Sequence, residues 1–230
     1  MPADTPTVAL RELDFAWRPG DTPLLSIPEF SVTRGERLFL RGPSGSGKTT
    51  LLGLLGGVLV PQRGSVTVLG QTLSALSGPA RDRFRADHVG YIFQMFNLLP
   101  YLSVLDNALL GLRFSRARRR RVAEPRAEAR RLLAALELPE ALLHRPVTEL
   151  SVGQQQRVAA VRALAGAPGL VIADEPTSAL DTTVRQRFLE LLFRECEHAG
   201  TTLVFVSHDP TLSGLFHRVV DLADLNRAAP

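Results

Sequence analysis

The chain has 230 residues, 45% of them hydrophobic and 22% charged, and a formal charge of +4. That is the balance of a soluble globular protein, long enough for one large core or for a core carrying an inserted subdomain. The single cysteine, Cys196, excludes an intrachain disulfide and a cysteine metal cluster and suits a reducing compartment, and the modest positive charge reads as a solvated arginine-rich surface.

In chain order, Met1 to Pro6 is polar and proline-rich, without the apolar segment of a signal peptide. Val8 to Phe15 and Leu24 to Val32 alternate apolar and polar residues and are expected to be β-strands. Between them stands Trp17, before the turn-like Arg18-Pro19-Gly20-Asp21; its position suits packing and nucleobase stacking about equally. Arg37 to Leu40 is a short buried strand, and Gly42-Pro43-Ser44-Gly45-Ser46-Gly47-Lys48-Thr49 follows it. This octapeptide fits G-x-x-x-x-G-K-[ST], in which glycines let successive backbone N–H groups turn inward around phosphate. Lys48 would reach the outer phosphates and the Thr49 hydroxyl would ligate Mg²⁺. Lys48 is the sole lysine of the chain, so the compact ammonium has been kept at the one position where such a loop uses it. Thr50 to Leu59 is leucine-rich and expected to be a helix with its N-terminus facing the anion. The longest apolar stretch, Leu51 to Val60, stops at Pro61 and is too short to span a bilayer.

Gly64 to Leu69 reads as a strand, Gly70 as a turn, and Asp82 to Asp87 as one surface helical turn or more. Val89 to Gln94 is an apolar strand ending on an amide. The segment from Met95 to Ser103 is apolar but interrupted by Asn97 and Pro100, which predicts a hydrophobic surface loop and hence a partner site through Phe96, Leu98, Leu99, Pro100, Tyr101 and Leu102. Val104 to Leu112 is helix-like. The five arginines of Arg116 to Arg121 read as a solvated helix end or loop, in preference to a lipid or nucleic-acid contact, because no aromatic residues interleave. Glu128 to Leu138 is an amphipathic helix. Ser151 is a natural N-cap, with Gln154 at the capping-box position of a helix running to Leu164.

Leu170 to Glu175 is a continuous apolar run ending in two carboxylates, the pattern of a parallel strand covered on both faces. Leu203 to Val206 ends likewise at Ser207-His208. Ligands of parallel sheets lie beyond the carboxyl ends of the strands, so Gln94, Asp174, Glu175 and His208 are expected near the phosphate loop. Asn226 to Pro230 reads as a frayed tail.

With these pieces in place the sequence resembles the nucleotide-binding subunit of ATP-binding cassette transporters, over almost its whole length. Gly42 to Thr49 matches Walker A, Gln94 the Q-loop, Leu150 to Gln154 the signature motif, Leu170 to Glu175 Walker B, Ser178 to Asp181 the D-loop and His208 the switch histidine. Phe93 to Pro100, together with Gln154-Gln155-Gln156, resembles the lipoprotein-release and macrolide-export subfamily. The resemblance implies an α/β P-loop NTPase core with a mostly parallel sheet, an N-terminal antiparallel β subdomain and an inserted helical subdomain. A single domain is expected, with its core at 1–94 and 165–230 and its helical part at 95–164.

It further implies that two copies sandwich two ATP molecules head to tail and drive a separate membrane permease from the cytoplasmic face. Glu175 would act as general base, His208 would contact the γ-phosphate, and Thr49, Gln94 and Asp174 would serve Mg²⁺. Trp17, Gly42, Pro43, Ser44, Gly45, Ser46, Gly47, Lys48, Thr49, Thr50, Ser151, Gly153, Gln154 and Asp181 would bind nucleotide. The sequence departs from the family at Val152, where Ser-Gly-Gly-Gln is usual; its side chain could narrow the approach of phosphate and slow hydrolysis. A soluble cassette ATPase of DNA repair or translation is the alternative, but it usually brings tandem cassettes or long coiled coils, and no sustained heptads occur here. A P-loop kinase would lack the signature motif. No nucleic-acid partner is expected, and the transported substrate is not encoded in these residues.

Overall fold

The computed structural model describes residues 5–228. The readings of a polar opening over the first four residues and of fraying at the last two lie outside them. In chain order the elements are β1 (Val8–Phe15), β2 (Leu25–Val32), β3 (Arg37–Arg41), α1 (Lys48–Leu55), β4 (Arg63–Val68) and β5 (Gln71–Thr72). Then come α2 (Gly78–His88), β6 (Val89–Ile92), α3 (Val104–Arg113), α4 (Arg116–Arg120), α5 (Pro125–Ala135) and α6 (Val152–Leu164). The last are β7 (Leu170–Asp174), α7 (Thr182–Ala199), β8 (Thr202–Val206), β9 (Arg218–Asp221) and α8 (Leu222–Leu225). They form two compact units, one running to Arg85 and resuming at Thr202, the other Ala86–Thr201.

The first unit holds an antiparallel sheet in the order β2-β1-β4-β5 and a parallel group in which β3 lies between β8 and β9. In β1 the apolar Val8, Leu10, Leu13 and Phe15 are buried, while Arg11 and Glu12 face solvent. β8 instead is buried at every position, as expected of a parallel strand covered on both faces. Phe39, Phe205 and Phe216 form a ring cluster with centroids 5.1–6.3 Å apart. Phe39 and Phe205, fully buried, each contribute about 1.5–3 kcal/mol through the water they shed.

The second unit pairs β6 with β7 in parallel and packs α6 against β6. α6 packs against β6, α3, α5 and α7, so the helix that opens at Ser151 is the centre of this unit. α5 buries Ala129, Leu132 and Leu133, and its polar side carries Arg131, which donates to Glu128 and to the buried Glu195 of α7.

Three sequence expectations need correction. Arg118 does not belong to a solvated arginine run: it is 3% exposed and donates to the carbonyls of Ala165 (2.8 Å) and Ala163 (2.6 Å), closing the C-terminal end of α6. Burial pulls its pKa down to about 10, still well above neutrality, so it remains the cation those carbonyls favour. Its neighbours Arg116, Arg119, Arg120 and Arg121 are exposed, as expected. Phe96 is not surface either; it is buried, Leu98, Leu99 and Leu102 are half-buried, and the exposed apolar residues include Met95, Pro100 and Tyr101. Lastly, residues 226–228 are not frayed. The Asn226 side chain accepts from Ser26 N–H at 2.7 Å and donates to Leu24 O at 2.9 Å, and Arg227 N–H donates to Ser26 O.

Candidate functional site

In the first unit, β3 delivers the chain into the turn 42–47 and then into α1. Gly45 and Gly47 have φ of 79° and 98°, where a side chain is strained, and a Cβ on Gly47 would lie 2.8 Å from Leu25 Cδ2. α1 begins at Gly47 with no side-chain cap and no acidic residue in its first turn. A helix N-terminus without a side-chain cap leaves backbone N–H groups available to an anion. Lys48 is buried, and its Nζ donates to Gly42 O and Pro43 O at 2.8 Å each. An ammonium has three protons, and the third has no acceptor among the described residues. Ser46 Oγ is buried with no hydrogen-bond partner among them. A buried hydroxyl without a partner is unfavourable by about 1–3 kcal/mol, so this loop is built for a polar guest. Thr49, Pro43, Ser44 and Gly45 are exposed at the same turn, while the Thr50 side chain is buried.

The parallel register of β3 with β8 sets Leu40 opposite Val206. Two residues further along each strand are Gly42 and His208, so the first residue of the loop and an exposed histidine leave the sheet at one end. Trp17 lies on the connection between β1 and β2, 65% exposed, its edge held by Phe15 in a T-shaped contact with centroids 5.4 Å apart.

The second unit uses the same geometry. Ile92 of β6 stands opposite Ala173 of β7, and two residues beyond them are Gln94 and Glu175. Gln94 is exposed, whereas Asp174 and Glu175 are half-buried. Glu175 has φ of 44°, a left-handed backbone that a non-glycine residue adopts at a cost of about 1–3 kcal/mol and that clusters at functional sites. Burial, and next the Asp174 carboxylate, push the Tyr91 phenol well above its ordinary pKa, so it stays neutral beside that acid. Tyr91 also stacks on Phe93 at 4.2 Å between centroids, which walls this strand end.

At the start of α6 the capping box foreseen in the sequence is formed. Gln154 N–H donates to Ser151 Oγ at 3.4 Å, and Ser151 N–H donates to Gln154 Oε1 at 3.0 Å. Val152 is exposed there. A Cβ on Gly153 would meet Val184 and Leu180 at 3.5–3.6 Å, an ordinary contact, so nothing in the chain's own packing requires glycine. Asp181 caps α7 by accepting from Val184 N–H at 3.0 Å.

Two groups escaped the sequence reading. Asn107 of α3, fully buried, accepts from Leu99 N–H (2.8 Å) and donates to the carbonyls of Leu99, Leu102 and Ser103. Arg162 of α6 donates to Phe96 O and Asn97 O. Both side chains bond to the backbone of one irregular loop, which no sequence pattern announces.

A sequence profile described as "ABC transporter" matches residues 25–178. The lipoprotein-releasing system ATP-binding protein LolD of Anaeromyxobacter dehalogenans is 43% identical over 97% of this chain and 93% of its own length. The macrolide export ATP-binding/permease protein MacB of Chromobacterium violaceum is 39% identical over 93% of this chain, which corresponds to 33% of that longer protein. Among solved structures, the ATP-binding cassette MJ0796, dimeric and bound to ADP and Pi in a post-hydrolysis state, superposes with a TM-score of 0.82 at 34% identity, covering 93% of both chains.

Proposed function

The chain belongs to the ABC transporter family and is an ATP-binding, ATP-hydrolysing cassette, and we propose that two copies of it power a separate membrane permease of the lipoprotein-release or export kind. The names of the relatives support the permease, and the dimeric MJ0796 supports the pair. No helix among the described residues is long and apolar enough to cross a membrane, so the reading assigns the spanning segments to another polypeptide and this chain to the cytoplasmic face beside it. The observation that carries the reading is the turn 42–47, which pairs an uncapped helix N-terminus with a buried, singular lysine.

In this reading the N–H groups of 44–49 and the third Lys48 proton bind the β- and γ-phosphates, and Ser46 Oγ finds its partner there. Thr49, Gln94 and Asp174 are the residues that would hold Mg²⁺. They offer hydroxyl, amide and carboxylate oxygens, the donors that this hard cation takes, and no cluster of three or more metal-binding side chains among the described residues suggests a softer metal. When bound, Mg²⁺ supplies neutralisation of phosphate charge during phosphoryl transfer. Glu175 orients the attacking water and accepts its proton, and the strained backbone at that residue supports the assignment. His208 donates to the γ-phosphate. Trp17 presents a ring face to adenine. Ser151, Gly153, Gln154 and Asp181 act on the nucleotide held by the other copy, and residues 95–164 work as the helical subdomain that presents them.

Glu175→Gln is expected to bind ATP normally and to hydrolyse it about a hundredfold more slowly or worse. Light scattering at saturating ATP should then find two chains together. Hydrolysis at the unsubstituted rate would dismiss the base assignment, and a monomer would dismiss the sandwich. The permease is proposed to dock on the exposed Met95 and Tyr101. Met95→Glu with Tyr101→Glu is expected to keep ATP binding and Tm while abolishing co-purification with the permease; unchanged co-purification would place the docking surface elsewhere.

A further inference from the structure

We propose that Arg162 is a positioning residue for the ATPase, through which α6 fixes the loop that carries Gln94; this rests on the reading of Gln94 as a residue of the hydrolytic site. The loop from Phe93 to Ser103 has no strand partner along its first half, and its backbone is in a disfavoured state there. Phe96 and Asn97 are consecutive left-handed residues with φ of 58° and 49°, neither of them glycine. Inside the loop Phe96 N–H donates to Phe93 O at 3.0 Å and Asn97 N–H to Met95 O at 2.6 Å, and a further hold comes from outside it. Arg162, in the last turn of α6, donates one guanidinium nitrogen to Asn97 O at 2.6 Å and the other to Phe96 O at 2.5 Å. It is mostly buried, desolvation draws its pKa below the usual arginine value, and no carboxylate pairs with it among the described residues. A residue serving only to pack α6 would be apolar, as Val158, Val161 and Leu164 are. A half-buried cation answered by two carbonyls of one loop is instead a clamp on that loop.

A second clamp divides the loop. Asn107 fastens Leu99, Leu102 and Ser103 to α3 by four hydrogen bonds. Residues 96–97 thus move with α6 and residues 99–103 with α3, and Gln94 sits next to the part that follows α6. Since α6 opens with Ser151-Val152-Gly153-Gln154, a shift at its N-terminus reaches Gln94 through Arg162 without passing through solvent-exposed backbone.

Arg162→Met and Arg162→Lys are to be compared with the unsubstituted chain in two measurements. Amide hydrogen exchange, without nucleotide or partner, is expected to rise about tenfold or more at residues 94–98 in Arg162→Met and to stay unchanged at 99–107 and in α6. Arg162→Lys, which keeps the charge but not the two-pronged donor, should fall between. ATP turnover of Arg162→Met is expected to drop about tenfold while its Kd for ATP moves less than about twofold, because the residue touches no nucleotide and only misplaces the group that does. Unchanged exchange at 94–98 overturns the proposal. So does exchange that rises uniformly through α3 and α6, or the failure of both variants to fold, since either makes Arg162 a packing residue. Local exchange with full turnover also overturns it. The exchange readout needs no ATP, so it stands apart from the assignment of ATPase activity, which fails only if the unsubstituted chain does not hydrolyse ATP.

Discussion

Two helices in this molecule begin beside glycines, and they begin differently. α1 starts at a left-handed Gly47 with no side-chain cap and no acid in its first turn. α6 starts at Ser151 with a complete capping box, a feature that contributes about 0.5–2 kcal/mol to a helix. The first N-terminus has no side-chain cap. The second closes itself through Ser151 and Gln154 and offers outward only the N–H groups of Val152 and Gly153. In the proposed function the uncapped terminus binds nucleotide within its own chain, and the capped one meets nucleotide held by the other copy. The lysine follows the same division, because the ammonium sits at α1 and no cationic side chain lies in the first turn of α6.

The largest effect that can break this comparison is at Lys48. Lys48→Ala is expected to cut turnover at least a hundredfold and to remove the rise in Tm that ATP gives an isolated chain. At a nucleotide concentration of a hundred times Kd that rise corresponds to about 2.7 kcal/mol of stabilisation. Differential scanning of the variant with and without ATP checks it. A retained shift would mean that α1 is not the site of first binding, and the distinction between the two termini would collapse.

The open terminus was legible in the sequence and the clamps were not. The turn 42–47, the capping box at Ser151 and the apolar strand of Leu170 to Asp174 are local, set by residue types within a few positions, and they form where the pattern places them. Of α2, the sequence shows only one surface helical turn or more over Asp82 to Asp87, because none of its residues is buried and it carries no apolar periodicity to read. The burial of Arg118, the bonds from Asn226 to Ser26 and Leu24, and the grip of Arg162 on Phe96 and Asn97 all run from a polar side chain to distant backbone. Backbone carbonyls are identical in every residue, so such a partner leaves no mark in the sequence. The candidate site was legible to a greater extent than its supports, because phosphate chemistry demands particular side chains and a clamp demands only a donor of the right reach.

The smallest expected effects sharpen the comparison at α6, where two adjacent substitutions should move turnover in opposite directions. A methyl group on Gly153 meets Val184 and Leu180 only at ordinary contact distance, and alanine favours helix by up to about 1 kcal/mol over glycine. Gly153→Ala should therefore keep or raise Tm. If the N–H of residue 153 faces a phosphate carried by the other copy, the same methyl group obstructs it, and turnover should fall about tenfold at unchanged ATP-induced Tm shift. Val152 is 47% exposed, so its isopropyl group packs on little in its own chain. Val152→Gly opens the same approach and should raise turnover a few-fold, with a loss of stability of at most about 1 kcal/mol from the weaker helix former. Turnover of each variant, measured at a protein concentration where ATP brings two chains together, decides the matter. Rates unchanged in both would show that the closed terminus has no part in hydrolysis. A loss of the Tm shift in either would show that it binds nucleotide within the single chain, as α1 is expected to do.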